Sequence, residues 1–340
     1  MRQIHTLKIS KINHLTSDAV EIVFSIPENL KSEFEFIAGQ YITICASIDN
    51  EDIRRAYSLC SNPNSEEVAV GVKKVEGGLM STFLTKNIKV GDVIDVMPPK
   101  GRFILENQEK VIGICAGSGI TPILSMMKKM DNPSNFTLVY GNKTPSSSMF
   151  LSEINKMNAN TYFTYSREEV EGCFNSRVDK NLLSELSKEK SFLEADAYFI
   201  CGPGEMIDMA EEFLLGKGVE KSKIHFERFT ASKKVKKKET ISEIPEIISN
   251  ITVIMDGDEF EYQLSSTGSS ILDSAMDEGA DVPFSCKGAV CCTCKAKVME
   301  GKAIMEKNFS LSEEEVEEGY ILTCQSHPIT KTIVVDFDEM

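Results

Sequence analysis

Residues 283–294 read PFSCKGAVCCTC, with four cysteines inside nine residues. A disulfide scaffold, a zinc site, a redox-active dithiol and an iron–sulfur cluster all use cysteines this dense. The chain has 340 residues and ten cysteines. Its N-terminus, MRQIHTLKIS, has no charged segment followed by an apolar stretch, so no secretory signal is read there. The expected location is the cytoplasm. That compartment keeps thiols reduced and disfavours a disulfide framework.

The longest uncharged run, VIGICAGSGITPILSMM (111–127), is too short for a bilayer and is broken by glycines and Pro122. No membrane span is expected. The net charge of −15 disfavours nucleic acid and anionic membranes as partners. The acid is uneven: residues 248–340 hold 18 Asp and Glu against 6 Lys, a net of −12. Just before them, SKKVKKKETISEIPEI (232–247) reads as a solvated linker.

Up to residue 105 the apolar positions alternate at period two, as in TLKISKI, AVEIVFSI, QYITICASI, VAVGVKKV and DVIDVMP. Glycines and Pro98-Pro99 punctuate them, which suggests short antiparallel strands in a barrel or sandwich. The rhythm changes at residue 110. KVIGICAG is a continuous apolar strand and TPILSMMKKM a helix, with Thr121 as N-cap and Pro122 at the first helical position. NFTLVYGN and ADAYFICGP are further strands, and GEMIDMAEEFLLGKG is a helix ending at a glycine. Such alternation implies a parallel sheet covered on both faces. From residue 250, strands NITVIMD and EFEYQL, helix SILDSAMDEG, the cysteine loop and strand KTIVVDFD form an α+β unit.

The cysteine spacing is Cys286-x4-Cys291-x2-Cys294, with Cys324 following after 29 residues. This is the plant-type [2Fe–2S] ligand pattern. Structural zinc usually draws on two C-x2-C pairs, which fits less well. Gly288, Ala289 and Thr293 are small enough to let backbone N–H groups approach the sulfurs. Cys292 is the spare, read as a small, partly buried loop residue.

PFSCKGAVCCTCKAKV together with GYILTCQSHP (319–328) resembles the C-terminal ferredoxin domain of reductases that feed multicomponent oxygenases, those of phenylacetyl-CoA epoxygenases in particular. The resemblance runs over essentially the whole chain. It implies a flavin barrel over 1–106, an NAD(P)-binding α/β domain over 107–230, a linker at 231–247 and a β-grasp ferredoxin domain over 248–340. Ala289 departs from the glycine usual in plant ferredoxins, and a positive φ there would strain it.

Within that resemblance, Arg55-Ala56-Tyr57-Ser58 matches the flavin-binding R-x-Y-S strand of the ferredoxin–NADP reductase superfamily. Arg55 suits a diphosphate oxygen, Tyr57 can stack on the isoalloxazine, and Ser58 can hydrogen-bond near its N5. GVKKVEGGLMST (71–82) supplies Val72, Lys73, Gly78, Met80 and Ser81 to the second phosphate-contacting segment, and FAD is implied over FMN. ICAGSGITP (114–122) is a glycine-rich strand-to-helix loop for a pyrophosphate, through Gly117, Ser118, Gly119 and Thr121. CGPGEM (201–206) places Cys201, Gly202 and Pro203 at the end of a later parallel strand, where such sheets bind ligands. The resemblance puts Cys201 beside the nicotinamide ring, which it orients without attacking. Ser166-Arg167 would meet the adenosine ribose, and an arginine there favours NADPH, although Glu168 and Glu169 follow. Phe229, closing IHFERF, would lie near the flavin. His225 and His327 are read as structural.

The implied path runs from NADPH through FAD and a [2Fe–2S] cluster to an oxygenase component. Hydride delivers an electron pair and a cluster accepts single electrons, so a flavin must stand between them. Alternatives are a reductase for a steroid or aromatic hydroxylase or for a hybrid-cluster protein, and, in another class, a redox sensor without turnover. A sensor would not need both flavin and nicotinamide segments.

Overall fold

The computed structural model describes residues 4–229 and 246–339. They form two compact units, one ending at Phe229 and the other C-terminal to it. Most of the expected linker lies outside the described residues. Ile247, at its end, already exchanges hydrogen bonds with Ser266.

The first unit begins with β1 (His5–Thr16), β2 (Ala19–Ser25), β3 (Tyr41–Ile48), β4 (Glu51–Ser58), β5 (Val68–Lys73) and β6 (Val93–Lys100), with α1 (Leu79–Lys86) between the last two strands. The strands pair antiparallel in the order β4-β3-β6-β1-β2-β5. A bridge between Leu59 and Val70, with Cys60 N–H donating to the Ala69 carbonyl, brings the two ends together and makes the sheet a barrel. Alternation fills it: Leu7 and Ile9, Val20 and Ile22, Ile42 and Ile44, and Val70 and Val72 point inward and are buried.

Next come β7 (Val111–Ala116), α2 (Ile120–Lys129), β8 (Phe136–Asn142), α3 (Leu151–Ile154), β9 (Asn160–Tyr165), α4 (Lys180–Leu186), α5 (Lys190–Leu193), β10 (Ala197–Gly202), α6 (Gly204–Gly216) and β11 (Ile224–Arg228). The five strands are parallel, ordered β11-β10-β7-β8-β9. Chain order reverses between β7 and β10, which opens a crevice at their carboxyl ends. The outward faces of β2 and β5 explain why barrel and parallel sheet form one unit. Ala19, Val23 and Ala69 share a core with Phe103, Ile123, Met126 and Phe199. Burial on both faces is why β2 reads as a nearly continuous apolar run.

One expectation is corrected. Thr121 is not the N-cap of the helix after β7. A 3-10 turn at Gly117–Gly119 precedes it, and the helix starts at Ile120 with Gly119 capping it. Thr121 instead donates its hydroxyl to the Ser118 carbonyl inside the first turn.

The second unit has β12 (Ile248–Met255), β13 (Asp258–Ser265), α7 (Ile271–Asp277), β14 (Lys295–Glu300), β15 (Ala303–Met305), α8 (Glu313–Glu317), β16 (Tyr320–Leu322), β17 (Ser326–Pro328) and β18 (Thr332–Asp336). The main sheet is β13-β12-β18-β14-β16, with the parallel β12–β18 pair inside it, and β15–β17 pair separately. β14 to β17 are strands that the alternation did not reveal, because the cysteine loop and short lengths interrupt it.

Candidate functional site

At the crevice, Cys201 is the last residue but one of β10 and lies in register with Cys115 on β7 and Glu227 on β11. Its thiol is fully buried, and burial pushes its pKa well up, so it stays a neutral thiol and not a nucleophilic thiolate. Ser58, at the end of β4 and buried, donates to Glu227 Oε2 at 3.2 Å. Burial raises the Glu227 carboxyl to about 8, against which the Ser58 hydrogen bond acts only partly. Phe229 follows on the surface, 39% exposed.

Two helices, α2 and α6, start directly after β7 and β10 at this crevice. Among helices longer than four residues, α4, α7 and α8 are capped by the side chains of Asp179, Ser270 and Ser312. α1, α2 and α6 have no side-chain cap, and their N-cap residues are Gly78, Gly119 and Pro203. Some of these first-turn N–H groups are bound within the chain, that of Ile120 to the Gly117 and Ser118 carbonyls and that of Met206 to the Pro203 carbonyl; any left over suit an outside acceptor such as a phosphate. Gly119 is obligatory on packing grounds, because a Cβ there would stand 2.1 Å from the Cys201 carbonyl oxygen. Gly117, at φ +58°, takes the left-handed turn that starts the loop.

In the second unit the four expected ligands come together in pairs. Cys286 and Cys291 perturb each other's thiol more than any other group does, and so do Cys294 and Cys324. Cys286 is held down to about 6, first by the Cys291 thiol and then by N–H groups of Gly288, Val290 and Cys291. The Gly288 N–H reaches its sulfur at 3.3 Å. Cys324 is lowered by Cys294, with an Ala289 N–H also donating to it. Among the described residues no three His, Cys, Asp or Glu side chains gather about a single ion. Pairing two and two fits a two-iron group, each iron with two thiolates, better than one tetrahedral zinc. Lys287, Ala289 and Cys292 all take positive φ, at 45°, 62° and 52°, to wrap the loop with amides facing the sulfurs. Cys292 is partly buried and donates to the Ser310 carbonyl, apart from the four ligands.

Comparison with known proteins gives these sites a lineage. Residues 6–121 match the oxidoreductase FAD-binding domain, 114–212 the oxidoreductase NAD-binding domain, and 253–328 the 2Fe-2S iron-sulfur cluster binding domain. The whole chain is 38% identical to a subunit of 1,2-phenylacetyl-CoA epoxidase from Escherichia coli (strain K12), covering 99% of both proteins. The chain belongs to that family. It is also 30% identical to the ferredoxin reductase component of 3-ketosteroid-9-alpha-monooxygenase from Rhodococcus rhodochrous, over 97% of this chain and 96% of that one. Phthalate dioxygenase reductase shares its fold, with a TM-score of 0.62, 23% identity and 98% of each chain covered.

For a member of this reductase family, the expected flavin residues divide by what they can offer. Arg55 and Tyr57 lie on β4, the first exposed and the second partly buried, and Arg55 Nη1 donates to the Arg54 carbonyl at 2.7 Å. Val72 and Met80 spend their side chains on the barrel core, which leaves their main chain for a ligand. Lys73 reaches the Ser147 carbonyl at 3.0 Å. Ser81 accepts the Val75 N–H at 3.1 Å, tying the Gly77-Gly78 turn to α1. Ser166 and Arg167 are exposed beyond β9, their N–H groups bound to the Asn142 and Lys143 carbonyls. Glu168 and Glu169 stand exposed in the same loop. His225 stacks on Phe199 at 4.9 Å with its pKa lowered by burial, and His327 sits buried beside Glu306, so neither joins the crevice chemistry. Glu227 is the residue that reading the sequence missed. A carboxylate in the apolar strand IHFERF, two places before the expected Phe229, was the available signal.

Proposed function

We propose that this protein is the cytoplasmic reductase component of a multicomponent oxygenase, drawing electrons from NADPH and delivering them to a phenylacetyl-CoA epoxygenase. What carries the reading is the full-length identity of 38% to a component of a phenylacetyl-CoA epoxidase, with all three domains present in one chain. FAD, when bound, would supply the conversion of a hydride pair into single electrons, and Cys286, Cys291, Cys294 and Cys324 would hold a [2Fe–2S] group, whose chemistry is one-electron transfer.

The chain's own residues perform the positioning. Arg55, Tyr57, Gly78 and Ser81, with the uncapped start of α1, would hold the flavin. Gly117, Ser118, Gly119, Thr121, Gly202 and Pro203 would hold the dinucleotide against the starts of α2 and α6. Cys201 presents a neutral thiol that orients the nicotinamide by contact. Ser58 and Glu227 form a two-residue proton store, since a carboxyl at about 8 is mostly protonated at neutral pH. Phe229 covers the flavin side of the crevice. Arg167 is assigned to a 2′-phosphate, because a guanidinium can grip it with two hydrogen bonds.

Anaerobic titration with NADPH and separately with NADH, followed by absorbance and low-temperature EPR, tests the reading. Flavin bleaching followed by a reduced-cluster signal is the expected sequence, with NADPH preferred. Arg167→Ala should weaken NADPH binding about tenfold and leave NADH binding alone. Equal loss for both nucleotides removes the assignment of Arg167. Failure of either nucleotide to bleach the protein removes the reductase reading itself. Turnover with a steroid oxygenase in place of the epoxidase would favour the second relative, at 30% identity.

A further inference from the structure

Two lysines directly follow cluster cysteines: Lys287 after Cys286 and Lys295 after Cys294. Each ammonium lies over an aromatic ring and meets a carboxylate. Lys287 stands 4.6 Å from the Phe284 centroid and 2.7 Å from Asp273; Lys295 stands 4.0 Å from Tyr320 and 3.2 Å from Glu315. Their surroundings differ sharply. The side chains of Lys287 and Asp273 are 40% and 43% exposed, whereas those of Lys295 and Glu315 are 9% and 14% exposed. Solvent and salt screen the first pair and not the second.

The buried pair is also fixed in place. Glu315 Oε1 takes Lys295, while Oε2 accepts the Ser312 N–H at 3.0 Å in the capping box of α8. Lys295 opens β14 opposite Leu322 of β16, and the Cys294 carbonyl accepts both the N–H and the hydroxyl of Thr323. The ion pair thus ties the strand that follows Cys294 to α8, the helix just before the β16 segment that leads to Cys324.

A buried ion pair costs desolvation, and apolar residues of similar size would often hold the two segments at least as well. Its chemistry is more informative. A [2Fe–2S] centre gains one negative charge with each electron it accepts. A fixed cation nearby favours the reduced form and a fixed anion opposes it. We propose that Lys295 and Glu315 are a positioning pair that tunes the reduction potential of the cluster, with Lys295 raising it and Glu315 lowering it. The inference rests on the four cysteines binding a [2Fe–2S] group.

The test is a potentiometric titration of the full-length holoprotein, read by EPR of the reduced cluster, for the parent, Lys295→Met, Glu315→Gln and Lys287→Met. Methionine keeps the length and packing of lysine, and glutamine keeps the N3 role in the capping box. At a fixed poise, Lys295→Met should lower the ratio of reduced to oxidised cluster about fivefold and Glu315→Gln should raise it by a similar factor. Lys287→Met should move it less, by an amount that fades with added salt. Lys295→Arg, which keeps the charge, should restore the parent value. Shifts of one sign for both buried-pair variants, or none, overturn the proposal. If Lys295→Met does not assemble, an unmoved potential in Glu315→Gln overturns it on its own. A parent protein with no reduced-cluster EPR signal would instead bring down the cluster reading beneath it.

Discussion

Ser58 and Glu227 lie 169 residues apart in the chain and share one hydrogen bond at the crevice. Ser58 was recognisable from the R-x-Y-S strand, since a local motif carries its own context. Glu227 was not, because its burial and its partner come from the closing of β11 against β10. That burial has a measurable consequence. The unfolded carboxyl titrates near 4.5 and the folded one near 8, so between those values the folded state holds the extra proton. Stability should therefore fall as pH rises through that window, with a slope of up to about 1.4 kcal/mol per pH unit, and level off above it. Urea unfolding at pH 5, 6.5 and 8 measures the slope, and Glu227→Gln should flatten it. Ala289 is a second case. Its strain was foreseen on the condition that the position takes positive φ, and it does, at 62°. Ala289→Gly should relieve about 1 kcal/mol of backbone strain, offset by lost packing at a buried site. Unfolding of the reduced, cluster-loaded protein shows which term is larger, and an unchanged EPR spectrum would confirm that the ligands have not moved.

At the scale of elements, periodicity located most strands and missed those whose residues serve two masters. β14 begins one residue after Cys294, and β16 ends two residues before Cys324, so neither displays a clean alternation. The start of α2 was misplaced for a related reason. Thr121-Pro122 is a strong local start signal, yet the Gly117–Gly119 turn lets the helix begin earlier, with the Ile120 N–H bound to carbonyls of that turn. The close approach of this turn to β10 makes Gly119 indispensable. Gly119→Ala places a Cβ 2.1 Å from the Cys201 carbonyl oxygen, so loop or strand must move. The expected result is at least a tenfold loss of NADPH affinity with flavin content retained, since the barrel is untouched. Equilibrium binding of the nucleotide, monitored by flavin absorbance, decides it.

At the scale of the molecule, one core joins the barrel to the parallel sheet through Ala19, Val23, Ala69, Phe103 and Phe199, and the cysteine unit has its own core around Val253, Leu272 and Val335. A chain ending after Phe229 should therefore fold with FAD bound. NADPH should bleach it at a rate within about twofold of the full-length protein, while electron delivery to the oxygenase is lost. Loss of flavin from that fragment would show that the two units depend on one another. No helix among the described residues is long and apolar enough to cross a membrane.

What the sequence determined by itself was whatever depends on spacing along the chain: the cysteine spacing, the R-x-Y-S strand, the glycine loop and the change of rhythm near residue 110. Ligand spacing and strand period are properties of neighbours in sequence, so they survive without knowledge of the fold. The tertiary structure alone decided the pairing of Cys286 with Cys291 and of Cys294 with Cys324. It also decided the Ser58–Glu227 contact and the buried Lys295–Glu315 pair. Each of these depends on which distant segments lie side by side and on how much water their packing excludes, and no local pattern records either.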